Sequence, residues 1–302
     1  MKDIIYVENH HFVSVKGESI KFKNIIDKTE RYFLLDDVEA LIFDSHKSYF
    51  SHNLILKCIE NDIAILFCDY KHSPATQILS NYGMTKRLQR MQSQLQFSAK
   101  SKDRVWKKIV VCKILNQVMC LENNTQASQI TQYMKALTKE VRGRDVTNRE
   151  AVAARVYFKH LYGPDFKRGR FDDAINAGLN YGYAVVRSFI KKELAFHGYE
   201  MSLGIKHQSL ENPFNLVDDI IEVYRPFVDS KVYELIFKDN IQVFSLEEKK
   251  ALIRVLYEPC IVDKKTMKLL DGVKMTTYSL NQCYKNNSAK YLLLPQMIEV
   301  GV

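Results

Sequence analysis

The spacing of apolar residues changes once along the chain, from a strand-like period to a helical period near residue 84. Before that point, "HFVSVKGESIKF" and "VEALIFDS" are short apolar runs typical of strands, and Lys16-Gly17 offers a hairpin turn within the first of them. After that point, apolar residues recur every three or four positions, as on one face of a helix. These stripes include Leu88, Met91 and Leu95, then Val105, Ile109 and Cys112, and then Ile130, Met134 and Leu137.

This change of period predicts an α+β fold class with two domains. Residues 1–75 are predicted to form a small β-rich domain, and residues 76–84 a polar linker. Residues 85–302 are predicted to form a larger, all-α domain.

Net charge differs between the two parts of the chain. Residues 1–75 hold 9 Lys/Arg and 12 Asp/Glu, a net of −3, and residues 76–302 hold 35 and 23, a net of +12. Residues 85–117 carry nine basic side chains against one acid, Asp103. This density predicts a track for the phosphate backbone of DNA, although a solvated helix surface is an alternative interpretation. The candidate DNA contacts are Lys86, Arg87, Arg90, Lys107 and Lys108.

The segment "NPFNLVDDIIEVYRPFVD", residues 212–229, places three acids among apolar residues. Its apolar positions cover about half of a helical cylinder, so we predict one mostly buried helix that Pro226 kinks or ends. The acids Asp218, Asp219 and Glu222 have two interpretations. They form either a solvated edge or a cation site, because Asp219 and Glu222, three residues apart, project the same way.

Two further residues have both a structural and a functional interpretation. Thr147 and Glu150 fit a capping box at a helix start, and that role alone would explain the glutamate. His207 lies in a glycine-containing connection, "LGIKHQSLENPF", 15 residues before Glu222. A short loop could fold this histidine over the acidic stripe, although a loop histidine is most often an ordinary polar residue.

The six cysteines contain no C-x-x-C pair, and no apolar run approaches the 18 residues of a membrane span. No signal peptide precedes them. We therefore expect a reduced, cytoplasmic protein with packed thiols and no membrane association.

Several motifs, in order along most of the chain, resemble the CRISPR-associated endonuclease and integrase family that inserts new spacers, the Cas-one family, and most of all its type II form. "GRDVTNREAVAARVYFKHLYG" resembles the family's acidic helix. "NAGLNYGYAVVRSFI" resembles its Asn-Asn-Tyr helix, and "LGIKHQSLENPFNLVDDIIEVYRP" resembles its histidine loop with the second acidic helix.

The resemblance implies that the all-α domain, residues 85–302, carries the active site and binds DNA. The family's metal-binding and catalytic residues fall on Glu150, His207 and Glu222, with Asp219 and Asn180 as supporting residues. One imidazole and two or three carboxylates suit Mg²⁺ or Mn²⁺. The implied reaction joins a prespacer 3′-hydroxyl to repeat DNA by transesterification.

The resemblance also implies partners. These are double-stranded DNA (prespacer and CRISPR repeat), a second copy of the chain through the β-rich domain, and a small ferredoxin-like adaptation protein, the Cas-two protein. A type II system would add the RNA-guided effector nuclease and a ring-shaped accessory protein.

Two other functions use the same residues differently. A free-standing metal-dependent nuclease for branched DNA would have the same ligands, and a non-catalytic DNA-binding scaffold would leave the acidic stripe empty. From the sequence we also expect Glu222→Gln to leave metal-free stability equal or slightly higher, because repulsion within the stripe is relieved.

Overall fold

The computed structural model describes residues 2–79, 86–169, 171 and 173–299. Its contacts divide the chain into two units, residues 1–81 and 82–302. Strands dominate the first unit and helices the second, which confirms the predicted α+β fold class.

The first unit contains two four-stranded sheets. Its elements are β1 (Asp3–Val7), β2 (His11–Lys16), β3 (Ser19–Asn24), β4 (Glu30–Leu34), β5 (Val38–Phe43), β6 (Tyr49–Phe50), α1 (His52–Glu60), β7 (Ala64–Cys68) and β8 (Pro74–Ile78). One sheet has the order β1-β5-β7-β8, with β1, β5 and β7 parallel and β8 antiparallel to β7. The other has the order β4-β3-β2-β6.

Local sequence signals explain several of these elements. The β2–β3 hairpin turns at Gly17, whose φ of 59° is readily adopted by a residue without a Cβ. Ser51 caps α1 by accepting a hydrogen bond from the Leu54 amide. Val13, Ile20 and Leu54 are buried in the core of this unit.

The predicted linker at 76–84 starts too early. Residues 76–78 belong to β8, which is held by its ladder with β7. A polar composition does not prevent a strand from pairing when it lies at the edge of a sheet, as β8 does. Residues 80–84 of the predicted linker lie outside the described residues.

The second unit is mainly helical. Its helices are α2 (Arg87–Leu95), α3 (Ala99–Asn124), α4 (Ser128–Glu140), α5 (Arg149–Leu161), α6 (Ala174–Phe196), α7 (Asn215–Ile221), α8 (Arg225–Val232), α9 (Leu246–Ile253) and α10 (Leu269–Lys285). It also has a small sheet of β9 (Pro259–Val262), β10 (Lys265–Lys268) and β11 (Gln296–Met297), which the all-α prediction omitted. These strands have only two to four residues, too short for a clear alternating pattern.

Helix α3 packs against α4, α5 and α8 and buries side chains around most of its circumference. Helix α6 approaches its neighbours closely at two glycines. A Cβ on Gly178 would lie 2.5 Å from Ile236 Cδ1, and one on Gly182 would fall inside contact distance of Val228. Within the part of the chain that the structure describes, no helix has the length and apolarity needed to cross a membrane.

The segment at 212–229 is two helices, and the prediction of one is corrected. Helix α7 ends at Ile221, and α8 starts at Arg225 with Pro226 in its first turn. Pro226 has no amide to donate to the carbonyl of Glu222, four residues earlier, so the helical ladder cannot continue there. Glu222 therefore lies at the break between the two helices.

Candidate active site

Asp219 organises the loop that carries His207. Its carboxylate is fully buried. One oxygen accepts hydrogen bonds from the amides of Ile205 at 2.5 Å and Lys206 at 3.1 Å, and the other accepts from the amide of His207 at 3.1 Å. The loop needs a glycine beside them, since a Cβ on Gly204 would lie 2.2 Å from the His207 carbonyl oxygen. The loop thus folds against α7, as its sequence position suggested.

Asp219 also fixes the His207 ring. The Nδ1 atom lies 2.8 Å from the Asp219 carboxylate. A carboxylate accepts at this position, so Nδ1 carries the proton and a neutral ring keeps its lone pair on Nε2. The hydrogen bond with Asp219 raises the pKa of His207 above its ordinary value, against the lowering effect of burial. The side chain is 46% exposed.

Glu222 is nearly buried and contacts two cations. One carboxylate oxygen lies 2.5 Å from Lys113 Nζ, and the other lies 2.9 Å from Arg225 Nε. Burial alone would raise the pKa of Glu222, but the charges of Lys113 and Arg225 outweigh burial and lower that pKa to about 2. Glu222 is therefore ionised at neutral pH.

Glu150 is in the first turn of α5, but the predicted capping box is wrong. Asn148 adopts a left-handed conformation, with φ of 54°, before the helix starts. The Asp145 carboxylate accepts from the amides of Arg149 and Glu150, each at 2.9 Å, and so takes the capping role. The Glu150 side chain instead lies 2.6 Å from Lys113 Nζ.

Lys113 brings the two glutamates together. Its ammonium lies 2.6 Å from one oxygen of Glu150 and 2.5 Å from one oxygen of Glu222. The distance between these two oxygens therefore cannot exceed the sum of those two distances. Burial lowers the pKa of Lys113. The charges of Glu222 and Glu150 raise that pKa by more than burial lowers it, so the net shift is upward. The Lys113 ammonium thus lies between two acids that are 72 residues apart in sequence.

Lys113 and Arg225 are residues of this site that the sequence interpretation missed. Lys113 was counted among the basic residues of the predicted phosphate track, yet its side chain is only 9% exposed. A signal was present, because Lys113 follows Trp106 and Ile109 at helical spacing and continues their buried stripe.

The three predicted ligands share one region but do not meet at one point. Among the residues for which the structure gives positions, no three His, Cys, Asp or Glu side chains are grouped to hold one metal ion. His207 bonds Asp219, one helical turn before Glu222, and the Glu222 charge also raises the pKa of His207. The two glutamates meet on the Lys113 ammonium.

The sequence model of the family described as CRISPR associated protein Cas1 matches residues 5–268. The chain belongs to the Cas1 family. It is 31% identical over 265 residues to the CRISPR-associated endonuclease Cas1 of Neisseria meningitidis serogroup C (strain 8013), which covers 87% of this chain and 86% of that protein.

Solved structures share the Cas1 fold at lower identity. A casposase bound to its integration product superposes with a TM-score of 0.76 at 17% identity, covering 96% of this chain and 92% of the casposase chain. A chain of a Cas6-RT-Cas1–Cas2 complex superposes with a TM-score of 0.71 at 18% identity, covering all of this chain and 36% of that one. At these identities the likeness establishes the fold.

The donor chemistry of this Cas1 site suits a divalent cation. Two carboxylates and an imidazole Nε2 form a mixed oxygen and nitrogen set, which Mg²⁺ and Mn²⁺ accept. The Asp219–His207 hydrogen bond is the usual second contact of a ligating histidine, since it orients the ring and fixes the tautomer. In the structure, one oxygen of each glutamate is engaged by the Lys113 ammonium.

Asn180 forms its side-chain hydrogen bond with Arg168. Its side-chain oxygen accepts from Arg168 at 2.7 Å, and Arg168 also donates to Asn176 at 2.9 Å. The Arg168 guanidinium lies 5.2 Å from the centre of the Tyr183 ring, which Arg225 also contacts, at 4.4 Å. These contacts link Asn180 through Arg168, Tyr183 and Arg225 to Glu222.

The predicted DNA contacts differ in their partners. Lys86 and Lys107 are exposed, and exposed Lys108 also donates to the Lys290 carbonyl at 3.3 Å. Arg87 pairs with Glu200 at 3.1 Å, and Arg90 donates to the His197 carbonyl at 3.2 Å. Arg90 also lies over the Tyr199 ring, so its guanidinium has structural partners within the unit.

Proposed function

We propose that this chain is a metal-dependent DNA endonuclease and integrase of CRISPR adaptation, which joins prespacer 3′-hydroxyl ends to repeat DNA. The observation that carries this proposal is the meeting of Glu150 and Glu222 on one cation, beside the loop that carries His207. Membership of the Cas1 family and the name of the Neisseria relative, an endonuclease, support it. So does the casposase neighbour, which was solved with an integration product.

Glu150, His207 and Glu222 are the residues that would hold Mg²⁺ or Mn²⁺. Such an ion polarises a phosphoryl oxygen and stabilises the charge that develops on it. Asp219 supports the site by orienting His207 and by holding the backbone of its loop. Arg225 holds Glu222 in place through the oxygen that Lys113 does not contact.

The proposed reaction exchanges one phosphodiester for another. The 3′-oxygen of the incoming strand forms a bond to a repeat phosphorus, and the bond from that phosphorus to the repeat 3′-oxygen breaks. The proton of the attacking hydroxyl is lost, and the departing oxygen gains a proton. The number of phosphodiesters is unchanged, so no nucleoside triphosphate is needed. Exposed Lys86, Lys107 and Lys108 are proposed to contact the DNA backbone.

The partners are also proposals. We expect the chain to form a homodimer, to bind double-stranded DNA, and to assemble with a Cas2 protein, as the Cas1 of the solved Cas6-RT-Cas1–Cas2 complex does. Assignment to a type II system, with its effector nuclease and ring-shaped accessory protein, stays a prediction that co-purification with those proteins would test.

Product analysis tests the function. The chain is incubated with its Cas2 partner, Mn²⁺, labelled prespacer DNA and a plasmid carrying the repeat. Label covalently joined to plasmid supports an integrase, cut strands without joining support the free-standing nuclease, and binding without either product supports a scaffold. EDTA should abolish joining, because the proposed ligands then hold no metal.

A further inference from the structure

Lys113 is a largely buried lysine of the second unit. It lies on the central helix α3, its side chain is 9% exposed, and its ammonium contacts one oxygen of Glu150 and one oxygen of Glu222. Both of these acids are proposed metal ligands. A single ammonium thus bridges the two proposed ligands.

We propose that Lys113 is a positioning residue that holds Glu150 and Glu222 together in the metal-free protein and is displaced when a divalent cation binds. This inference rests on the proposed function, since it assumes that those two glutamates bind metal. It adds a competition between the ammonium and the metal for the same carboxylate oxygens.

Charge balance is the first reason for competition. The partly buried group contains Lys113 and Arg225 as cations and Glu150 and Glu222 as anions, so its formal charge is zero. Adding a divalent cation while both basic groups stay would leave two carboxylates facing four positive charges in a partly buried space. Buried charges require close compensation, so an excess of this size is strongly unfavourable.

Geometry is the second reason. Lys113 Nζ lies 2.6 Å from Glu150 Oε1 and 2.5 Å from Glu222 Oε2, so it already occupies the space between them. Arg225 approaches Glu222 from its other oxygen and does not contact Glu150, so it can remain. The flexible four-carbon stem of a lysine allows the ammonium to withdraw without moving α3.

Competition lowers the apparent metal affinity but keeps the ligands in place. Without Lys113, the buried Glu222 carboxylate and the half-buried Glu150 carboxylate would repel each other and separate in the metal-free state. With Lys113 present, the two carboxylates stay close enough to contact the same cation. The metal then has to replace the ammonium as their partner. A lysine with a structural role alone would stabilise the fold without affecting metal affinity.

The test measures Mn²⁺ binding by isothermal titration calorimetry on the full chain without DNA. Lys113→Met removes the ammonium and keeps most of the side-chain volume, and we expect it to tighten Mn²⁺ binding at least about tenfold, with a lower melting temperature in EDTA. Lys113→Arg keeps a cation and should not tighten binding. Lys107→Met, on the exposed side of the same helix, controls for the loss of one positive charge and should change affinity less than about twofold.

A second measurement uses the native protein, in case Lys113→Met does not fold. The chain is treated with an amine-acetylating reagent with and without Mn²⁺, and the modified lysines are quantified by mass spectrometry. Lys113 should be protected in EDTA and become more reactive with Mn²⁺, while Lys107 reacts equally in both.

The outcomes separate the two proposals. If the native chain binds Mn²⁺ but Lys113→Met binds it no more tightly, and Lys113 acetylation does not respond to the metal, then competition is refuted and the metal site remains. If neither the native chain nor any variant binds Mn²⁺, the metal-dependent function fails, and the inference about Lys113 fails with it.

Discussion

Glu222→Gln should strongly destabilise the metal-free protein, contrary to the expectation from the sequence. The expected relief of repulsion assumed that the acids of the stripe faced each other without cations. In the structure, Glu222 is paired with Lys113 and Arg225, and its pKa is about 2 against an ordinary value of 4.5. A difference of about 2.5 between the two pKa values corresponds to about 3 kcal/mol of unfolding free energy.

The sign follows from the direction of the shift. A carboxyl whose folded pKa is depressed contributes stability that is present above its unfolded pKa and is lost as the pH falls through the folded pKa. The contribution of Glu222 should therefore be complete above about pH 5 and disappear between about pH 4.5 and 2. Glutamine cannot be ionised, so the variant lacks this contribution at every pH.

The assay is urea unfolding at pH 7 in EDTA, followed by circular dichroism. The native protein should exceed Glu222→Gln by about 3 kcal/mol, and the difference should shrink as the pH is lowered towards 2. Glu234→Gln is the matched control, because Glu234 forms an exposed ion pair with Lys231 and should matter by less than about 0.5 kcal/mol. Equal or higher stability of Glu222→Gln would refute the ion-pair reasoning and restore the repulsion interpretation.

Three further predictions follow from other parts of the second unit. Gly204→Ala should displace the His207 loop, because the new Cβ would lie 2.2 Å from the His207 carbonyl oxygen. The rate of strand joining should fall at least about tenfold, and a native rate would contradict this. Burial raises the pKa of Asp229 to about 6, so its stabilising contribution is complete below about pH 4 and is lost as the pH rises through 6. Asp229→Asn should flatten the stability profile between pH 4 and 7 by about 3 kcal/mol, measured by urea unfolding, and an unchanged profile would contradict this. Lys107→Ala with Lys108→Ala should reduce the salt slope of DNA binding, measured by fluorescence anisotropy, whereas an unchanged slope would assign these lysines to solubility.

The change from strands to helices could be predicted because the period of apolar residues is a local property. The β2–β3 hairpin was predicted for the same reason, from a glycine turn. The parallel pairing of β1, β5 and β7 could not be predicted, because partners distant in sequence leave no local signal.

The candidate site was predictable only in part. The resemblance directed attention to Glu150, His207 and Glu222, and the structure brings the two glutamates onto one ammonium. The capping box predicted from the spacing of Thr147 and Glu150 was wrong. Asn148 adopts a left-handed conformation, and Asp145 caps the helix instead. A capping-box pattern fixes residue types, but the backbone conformation before the helix decides which side chain reaches the amides.

Charged residues were the hardest to interpret from the sequence. Lys113 lies within a run of basic residues, and nothing local separates it from exposed Lys107 and Lys108 except its helical register with buried neighbours. Asp218 and Asp219 are adjacent, yet Asp218 pairs with Arg187 and Asp219 holds a loop. Partners of this kind are set by tertiary packing, which the sequence alone does not reveal.

The rate of strand joining by Glu150→Gln tests the central claim most directly. Glu150 has one ion-pair partner and is less buried than Glu222, so this variant should remain folded at the assay temperature. With Mn²⁺, Cas2, prespacer and repeat plasmid, it should join at least about a hundredfold more slowly than the native chain, because a metal ligand is lost. Asp218→Asn, which removes an acid paired with Arg187 instead, should join at a rate close to native. Joining by folded Glu150→Gln at the native rate would contradict the assignment of this site to catalysis.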